Sequence, residues 1–229
     1  MAPIGDGQGF EIEGRTATLY LGNEQGCPLV VLNNYSGDGS SVIEALHAMQ
    51  APDCSLLVVG DLRWNHDMTP WDCPPLMRND APYTGGAQDY LDLLLGRIVP
   101  RAIGLAGSPP AYMAIAGYSL AGLFALWSAY RCDAFARVAS VSGSLWFPDF
   151  AEYATSHKMV RDPKRLYLSL GKAEARTPNR LLRTVRERTE LLAAHYRTLG
   201  VDVTYELNPG NHFRDAALRS AKGIAAILV

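Results

Sequence analysis

The sequence lacks the features that mark membrane proteins, nucleic-acid-binding proteins, zinc proteins and disulfide scaffolds. No run of about 18 apolar residues is long enough to cross a bilayer. Its 21 Lys and Arg against 23 Asp and Glu leave a formal net charge of -2, with no basic run along a helix face. The four cysteines are scattered without a C-x-x-C pair. We therefore expect no membrane, nucleic-acid or metal partner, and we expect chemistry on a small molecule.

Length and composition favour one buried core. A chain of 229 residues that is 48% hydrophobic is short for two complete domains, so we expect a single domain over 1–229. Residues 1–7 show neither the basic segment nor the apolar segment of a secretory signal, which predicts a cytoplasmic protein. In that compartment the cysteines are expected as buried thiols, with Cys73, in a loop, as a possible exception.

Strand-like and helix-like segments alternate along the chain. Residues 10–21 alternate as in an antiparallel hairpin, and the continuous apolar runs at 29–32 and 55–59 are typical of strands buried on both faces. Helical patterns follow at 42–49, 87–106, 120–130 and 179–199. The order predicts an α/β fold with a mostly parallel central sheet and helices on both faces.

Residues 61–86 lose this periodicity. The segment contains four prolines, the pair Gly85-Gly86, and the large side chains Trp64, His66 and Trp71. Long loops in compact domains are uncommon and often border active sites. We interpret 61–86 as a cleft-lining loop or a small lid.

The segment 114–124 carries the strongest functional signal. Its apolar run stops at Ser119, which small residues flank, and an apolar helix pattern begins at once. This is the pattern of a nucleophile elbow, in which a strained turn raises a serine hydroxyl into the cleft at a helix N-terminus. Ala121 stands where the usual second glycine is expected, and Gly122 follows one residue later. The backbone N–H of Leu120 would face an oxyanion.

A serine nucleophile needs a base, and in this fold the base follows it in the chain. His212 comes after the last predicted strand through a Pro-Gly-Asn turn, which places it at a strand's carboxyl end. His195 falls inside a predicted helix, and His157 lies in a polar segment that no strand delivers to the cleft. His212 is therefore our candidate base.

The orienting acid should lie between serine and base. Glu174 stands a few residues beyond the predicted strand 165–170, which makes it the candidate, although a glutamate beside Arg176 could also be a solvated loop residue. Asp149 and Asp162 also lie between Ser119 and His212 but are less well placed, and Asp215 follows the base in the chain and is a weak rival.

A second oxyanion donor is expected from the turn after the early strand, 33–39. Tyr35 N–H is the first choice, and Asn34 and Ser36 stay open because no side-chain pattern separates the three. Aromatic and polar side chains near the proposed cleft are candidates for substrate binding, with ordinary packing as the alternative. They are Trp64, His66, Trp71 and Trp146.

Four segments together resemble the putative esterase family of α/β-hydrolases, which includes esterase D, siderophore esterases and feruloyl esterases. They are 116–123, 64–71, 85–91 and 210–212. The resemblance implies a serine hydrolase of carboxylic esters that needs no metal and no cofactor, with Ser119 as nucleophile and His212 as base. Some siderophore esterases in this group work with a Ser–His dyad, which would make Glu174 dispensable. Asn34-Tyr35 replaces the family's common Asp-Gly or His-Gly, so the second oxyanion donor departs from the pattern.

Our leading hypothesis is therefore hydrolysis of a small-molecule ester through an acyl-enzyme on Ser119. A siderophore (trilactone-type) esterase is one alternative, because arginines that could bind an anionic substrate lie near the proposed site. They are Arg63, Arg78, Arg176 and Arg180. An acyltransferase could use the same machinery with an alcohol acceptor. A catalytically silent binding module is the alternative of a different class.

Overall fold

The computed structural model, which describes residues 6–76 and 79–229, is built on a central sheet of eight strands. All strands of these residues, in chain order, are β1 (Gln8–Ile12), β2 (Arg15–Tyr20), β3 (Leu29–Asn33), β4 (Ser55–Val59), β5 (Asp72–Cys73), β6 (Tyr83–Thr84), β7 (Met113–Tyr118), β8 (Phe135–Val141), β9 (Arg165–Gly171) and β10 (Asp202–Asn208). The central order is β1-β2-β4-β3-β7-β8-β9-β10, and β5 and β6 form a separate ribbon. In the central sheet, β3, β4 and β7 to β10 run parallel to one another, while β2 pairs antiparallel with both β1 and β4.

Helices cover both faces of this sheet. The helices are α1 (Ser40–Ala48), α2 (Trp64–Asp67), α3 (Ala87–Leu93), α4 (Val99–Ala106), α5 (Leu120–Ser128), α6 (Phe150–Ser156), α7 (Val185–Thr198) and α8 (Ala216–Leu228). A π-helical segment, Leu94–Ile98, joins α3 to α4, and a 3-10 turn, Leu182–Thr184, precedes α7. Helices α1 and α8 pack on one face, and α3 to α7 pack on the other. The predicted α/β fold is confirmed. Among the described residues, no helix has the length and apolar character needed to cross a bilayer.

Alternation of side chains along the inner strands explains the two cores. In β3, Val31 packs into the core under α3 to α7, while Val30 and Leu32 pack under α1 and α8. Leu57 and Leu56 of β4 divide in the same way. Because successive strand residues point to opposite faces, a strand covered on both sides must be apolar throughout. The apolar runs at 29–32 and 55–59 predicted this correctly.

The segment 61–86 contains more structure than its sequence indicates. It includes α2 and the β5–β6 ribbon, which are too short to show a period. Asp67 anchors it, since this fully buried carboxylate accepts hydrogen bonds from Arg15 of β2 at 2.8–3.0 Å and from the Arg63 backbone at 2.9 Å. A buried, paired carboxylate resists separation because either charge left alone would be poorly solvated.

The carboxyl ends of the parallel strands position the candidate site. Turns after β3, β7, β9 and β10 carry Tyr35, Ser119, Glu174 and His212 respectively. Since parallel strands end at the same edge of a sheet, these residues from distant parts of the chain meet there.

Candidate active site

Ser119 occupies a strained turn between β7 and α5. Its φ of 61° and ψ of -123° lie where residues with a Cβ are rarely found. The turn is tight, because a Cβ added to Gly117 would lie 2.2 Å from the Ala121 carbonyl oxygen and one added to Gly122 would lie 2.9 Å from Gly143 Cα. The elbow thus needs glycine at 117 and 122, and it accommodates the methyl group of Ala121.

The structure brings Ser119, His212 and Glu174 together in a line. Ser119 Oγ lies 3.0 Å from His212 Nε2, and His212 Nδ1 lies 2.8 Å from Glu174 Oε2. Both distances are within hydrogen-bonding range. Within the described ranges, the other carboxylates considered (Asp149, Asp162, Asp215) form no hydrogen bond or ion pair with His212. The geometry can pass a proton from serine to imidazole while the carboxylate orients the ring.

The side chain of Glu174 is almost fully buried and accepts several hydrogen bonds. Besides His212, its carboxylate accepts from Gly171 N at 2.5 Å, Ser142 Oγ at 2.8 Å and Arg219 Nη1 at 3.2 Å. Burial raises the pKa of this carboxyl, but the hydrogen bond and charge of His212 and the bonds from Gly171 and Ser142 lower it by more. The pKa of Glu174 therefore lies below its usual value, and the group is ionised at neutral pH.

Arg219 of α8 forms a buried ion pair with Glu174, and the sequence-based prediction did not include it. It is 2% exposed, and its guanidinium also donates to Pro209 O at 2.6 Å and to Tyr118 Oη at 3.3 Å. Tyr118 Oη in turn donates to His212 O at 2.6 Å. The signal was available in the sequence, since Arg219 lies one turn before Gly223 on the buried stripe of α8.

Two backbone amides at the predicted oxyanion positions have no acceptor within residues 6–76 and 79–229. Leu120 N–H is the first amide of α5, and Tyr35 N–H lies in the turn after β3. Asn34 N–H donates to Val59 O at 2.9 Å, so it is already used in the fold. This favours Tyr35 and Ser36 over Asn34 as the second donor, since the first amides of a helix and of a turn suit a negative charge.

Two cavities meet at Ser119. The aromatic cavity has a volume of about 440 Å³ and is lined by residues that include Trp64, Tyr83, Trp146 and Leu182. The serine-lined cavity has a volume of about 490 Å³ and is lined by residues that include Tyr35, Ser36, Ser41 and Ser220. The hydroxyl of Ser119 is therefore accessible from two sides.

The predicted substrate-binding side chains divide into two pairs. Trp64 lines both cavities and Trp146 lines the aromatic cavity. Trp71 instead donates from Nε1 to Pro148 O at 3.1 Å and packs among aromatic side chains of the core, and His66 bonds Thr84 Oγ1 at 2.7 Å. The structure brings neither Trp71 nor His66 to either cavity, because internal partners hold both.

Few charged groups surround the cavities. Of the four arginines considered for an anionic substrate, Arg176 lines the aromatic cavity, whereas Arg63 pairs with Asp67 and Arg180 is exposed outside both cavities. Arg78 lies outside the described residues. Among residues 6–76 and 79–229, no group of three or more His, Cys, Asp or Glu side chains is placed to hold a metal ion.

Comparison with known proteins identifies similar chains. The family model Esterase, described as "Putative esterase", matches residues 42–216. Uncharacterized protein YbbA of Bacillus subtilis (strain 168) is 23% identical over 192 residues, covering 77% of this chain and 75% of that protein. The structure of an IroE-like serine hydrolase from Shewanella oneidensis has a TM-score of 0.75 at 17% identity, covering 96% of this chain and 78% of the other. The siderophore hydrolase EstA of Aspergillus nidulans has a TM-score of 0.70 at 18% identity, covering 96% and 92%. These structural likenesses show the α/β-hydrolase fold.

Proposed function

Because the chain belongs to the Putative esterase family, and is thus a hydrolase acting on esters, we propose that Ser119, His212 and Glu174 are the catalytic triad with which it cleaves carboxylic esters. The observation that carries this proposal is the line of contacts from Ser119 Oγ through the His212 ring to Glu174, at 3.0 and 2.8 Å. The strained backbone of Ser119 supports it, since strain in a turn of this kind is typical of a nucleophile. We place the triad in a single domain spanning 1–229.

The proposed reaction has two steps. His212 Nε2 takes the hydroxyl proton as Ser119 Oγ attacks the ester carbonyl, and it then donates that proton to the departing alcohol. Water, activated by His212 in the same way, hydrolyses the acyl-enzyme and restores Ser119. Glu174 accepts a hydrogen bond from Nδ1–H throughout, and its lowered pKa keeps it charged to stabilise the imidazolium.

The oxyanion of each tetrahedral intermediate would be held by Leu120 N–H and Tyr35 N–H. Both amides lack a partner in the described part of the chain, so they can bind an oxyanion without breaking an existing hydrogen bond. One such donor contributes about 3–4 kcal/mol to the transition state. The segment 61–86 would serve as a cavity wall, since Trp64 and Tyr83 line the aromatic cavity.

Steady-state hydrolysis of p-nitrophenyl esters of graded acyl length tests the proposal. We expect Ser119→Ala and His212→Ala to lose roughly 10⁴-fold or more in kcat, because neither the nucleophile nor its base can be replaced by water. His195→Ala is the matched control and should retain activity, because His195 lies in α7 and lines neither cavity. Glu174→Ala separates triad from dyad: a loss of about 10⁴-fold supports a triad, and near-full activity supports a dyad.

Covalent labelling supplies an independent readout of the same proposal. A fluorophosphonate should label wild type at Ser119 and should not label Ser119→Ala. A folded wild-type protein that is inert to every ester and unlabelled would contradict the proposal and favour a silent binding module. Partition of the acyl group to an added alcohol in preference to water would identify an acyltransferase.

A further inference from the structure

We propose that the substrate is an uncharged ester with a sizeable group on each side of the ester bond, one in the aromatic cavity and the other in the serine-lined cavity. This inference rests on the proposed function, since it requires Ser119 as the nucleophile. It adds a substrate class, defined by the shape and charge of the two cavities.

The two cavities extend over opposite faces of the sheet. Leu182 and Val185 of the aromatic cavity pack into the core under α3 to α7, while Val42 and Ala217 of the serine-lined cavity pack into the core under α1 and α8. The residues that line both cavities are Trp64, Ser119, His212 and Phe213. The two cavities therefore meet beside the Ser119 hydroxyl, where an ester bond would lie, with one group in each cavity.

Each cavity is large enough to bind a substantial group. Their volumes, about 440 and 490 Å³, each lie in the range of roughly 300–1,000 Å³ found for small-molecule sites. An ester with a short group on one side would leave one cavity filled with water. An ester with a sizeable group on each side would instead fill both cavities, and the binding energy of both groups could hold the carbonyl at Ser119.

Exposed aromatic side chains border the junction. Phe213 is 88% exposed and its ring lies edge-on to His212 at 5.4 Å, while Tyr35, 71% exposed, contacts Trp64 edge-on at 5.0 Å. Exposed large apolar side chains grouped beside a cleft are typical of a binding surface. They would cover a bulky ester on its solvent side.

The charges of the lining favour a neutral substrate. Among the described residues, the acidic and basic side chains that line the aromatic cavity are Glu174 and Arg176, and Glu174 already accepts hydrogen bonds from His212 and Arg219. Residues lining the serine-lined cavity include no Asp, Glu, Lys or Arg among those described. In the serine-lined cavity, a group with several negative charges would be desolvated without compensating cations, whereas an uncharged group can form hydrogen bonds with the serine hydroxyls.

An isomeric pair of esters tests the two-sided arrangement. Methyl naphthylacetate carries its ring on the acyl side, and naphthylmethyl acetate carries the same ring on the alcohol side. Leu182→Trp partly fills the aromatic cavity and Ala217→Phe partly fills the serine-lined cavity. The matched controls are Leu181→Trp and Leu218→Phe, which alter exposed neighbours that line neither cavity.

We expect each filling variant to lower kcat/KM for one isomer by roughly tenfold or more, with the two variants affecting opposite isomers. The control variants should match wild type on both. The inference would be overturned if both filling variants lowered kcat/KM for the same isomer, or if neither variant lowered kcat/KM for either isomer. If a filling variant does not fold, Thr177→Trp and Ala216→Phe alter other residues that line the same two cavities.

A charged analogue tests the remaining part of the inference. Adding a carboxylate to the naphthyl ring should lower wild-type kcat/KM most for the isomer that Ala217→Phe impairs, since its ring occupies the serine-lined cavity. A preference for the anionic esters would contradict an uncharged substrate. Fluorophosphonate labelling of Ser119 is measured in parallel. Labelled protein that shows no two-sided selectivity refutes this inference alone, whereas unlabelled and inert wild type refutes the proposed function.

Discussion

Replacing Arg219 with methionine would leave the Glu174 carboxylate buried without its nearest permanent cation. The guanidinium donates to Glu174, Ser142, Tyr118 and Pro209 at 2.6–3.3 Å, and the side chains of Arg219 and Glu174 are 2% and 4% exposed. Methionine keeps most of the aliphatic volume, so the substitution removes the charge and its hydrogen bonds with little change in packing. Stability, measured apart from any substrate, is the direct readout.

The expected loss follows from this burial. Removing one partner of a buried, hydrogen-bonded ion pair costs about 3–5 kcal/mol, because the remaining charge stays desolvated. That is a large fraction of the roughly 5–15 kcal/mol that stabilises a typical domain. In the double variant Arg219→Met/Glu174→Gln no unpaired carboxylate is left. The two changes should therefore cost less together than the sum of the single changes, by at least about 1 kcal/mol.

Urea unfolding at pH 7, followed by circular dichroism, measures these free energies. Arg214→Met serves as the control, since the Arg214 side chain is 63% exposed and pairs with the exposed Asp215, and it should cost less than about 1 kcal/mol. A loss below about 1 kcal/mol for Arg219→Met, or strict additivity in the double variant, would refute the view that Arg219 compensates a buried charge.

Three further predictions concern stability in acid, packing at two glycines, and the buried ion pair between Asp67 and Arg15. The folded pKa of Glu174 lies below its unfolded value of about 4.3, so its stabilising contribution is present above that pH and is lost as the pH falls through the folded pKa. Glu174→Gln should therefore flatten the fall in unfolding free energy on acidification, and an unchanged slope would contradict this. Gly117→Ala should destabilise by about 1–3 kcal/mol because its Cβ meets backbone; by contrast, Gly104→Ala, with open space around it, should stabilise by roughly 0.5–1 kcal/mol in urea unfolding. Asp67→Asn removes the charge that pairs with buried Arg15 and should cost about 3–5 kcal/mol by thermal unfolding, with a loss under 1 kcal/mol as the contrary result.

Local patterns in the sequence were enough to predict the fold class and the tight turn at Ser119. Apolar runs at 29–32 and 55–59 predict doubly buried strands because side chains alternate between two covered faces. The elbow is equally local, since Gly117, Ser119 and Gly122 must meet its steric demands within a few residues. The position of His212 could be predicted in the same way, because His212 lies in the turn that directly follows β10.

Only the tertiary structure decided which groups contact each other. Three of the carboxylates considered, Asp149, Asp162 and Glu174, were compatible with the chain order. It is the turn after β9 that places Glu174 against His212 Nδ1 at 2.8 Å. Trp71 and His66 looked like cleft residues, yet partners distant in the chain, Pro148 and Thr84, hold them elsewhere.

The supporting arginine and the two cavities also depend on assembly of the whole chain. Arg219 comes from the last helix and reaches Glu174 across 45 positions, and the two cavities form only where helices on opposite faces reach the same sheet edge. By itself, the sequence determined the elements and the conformations that each short segment can adopt, because those depend on sterics and periodicity. Pairings between distant side chains, and the space left between them, depend on how the elements pack.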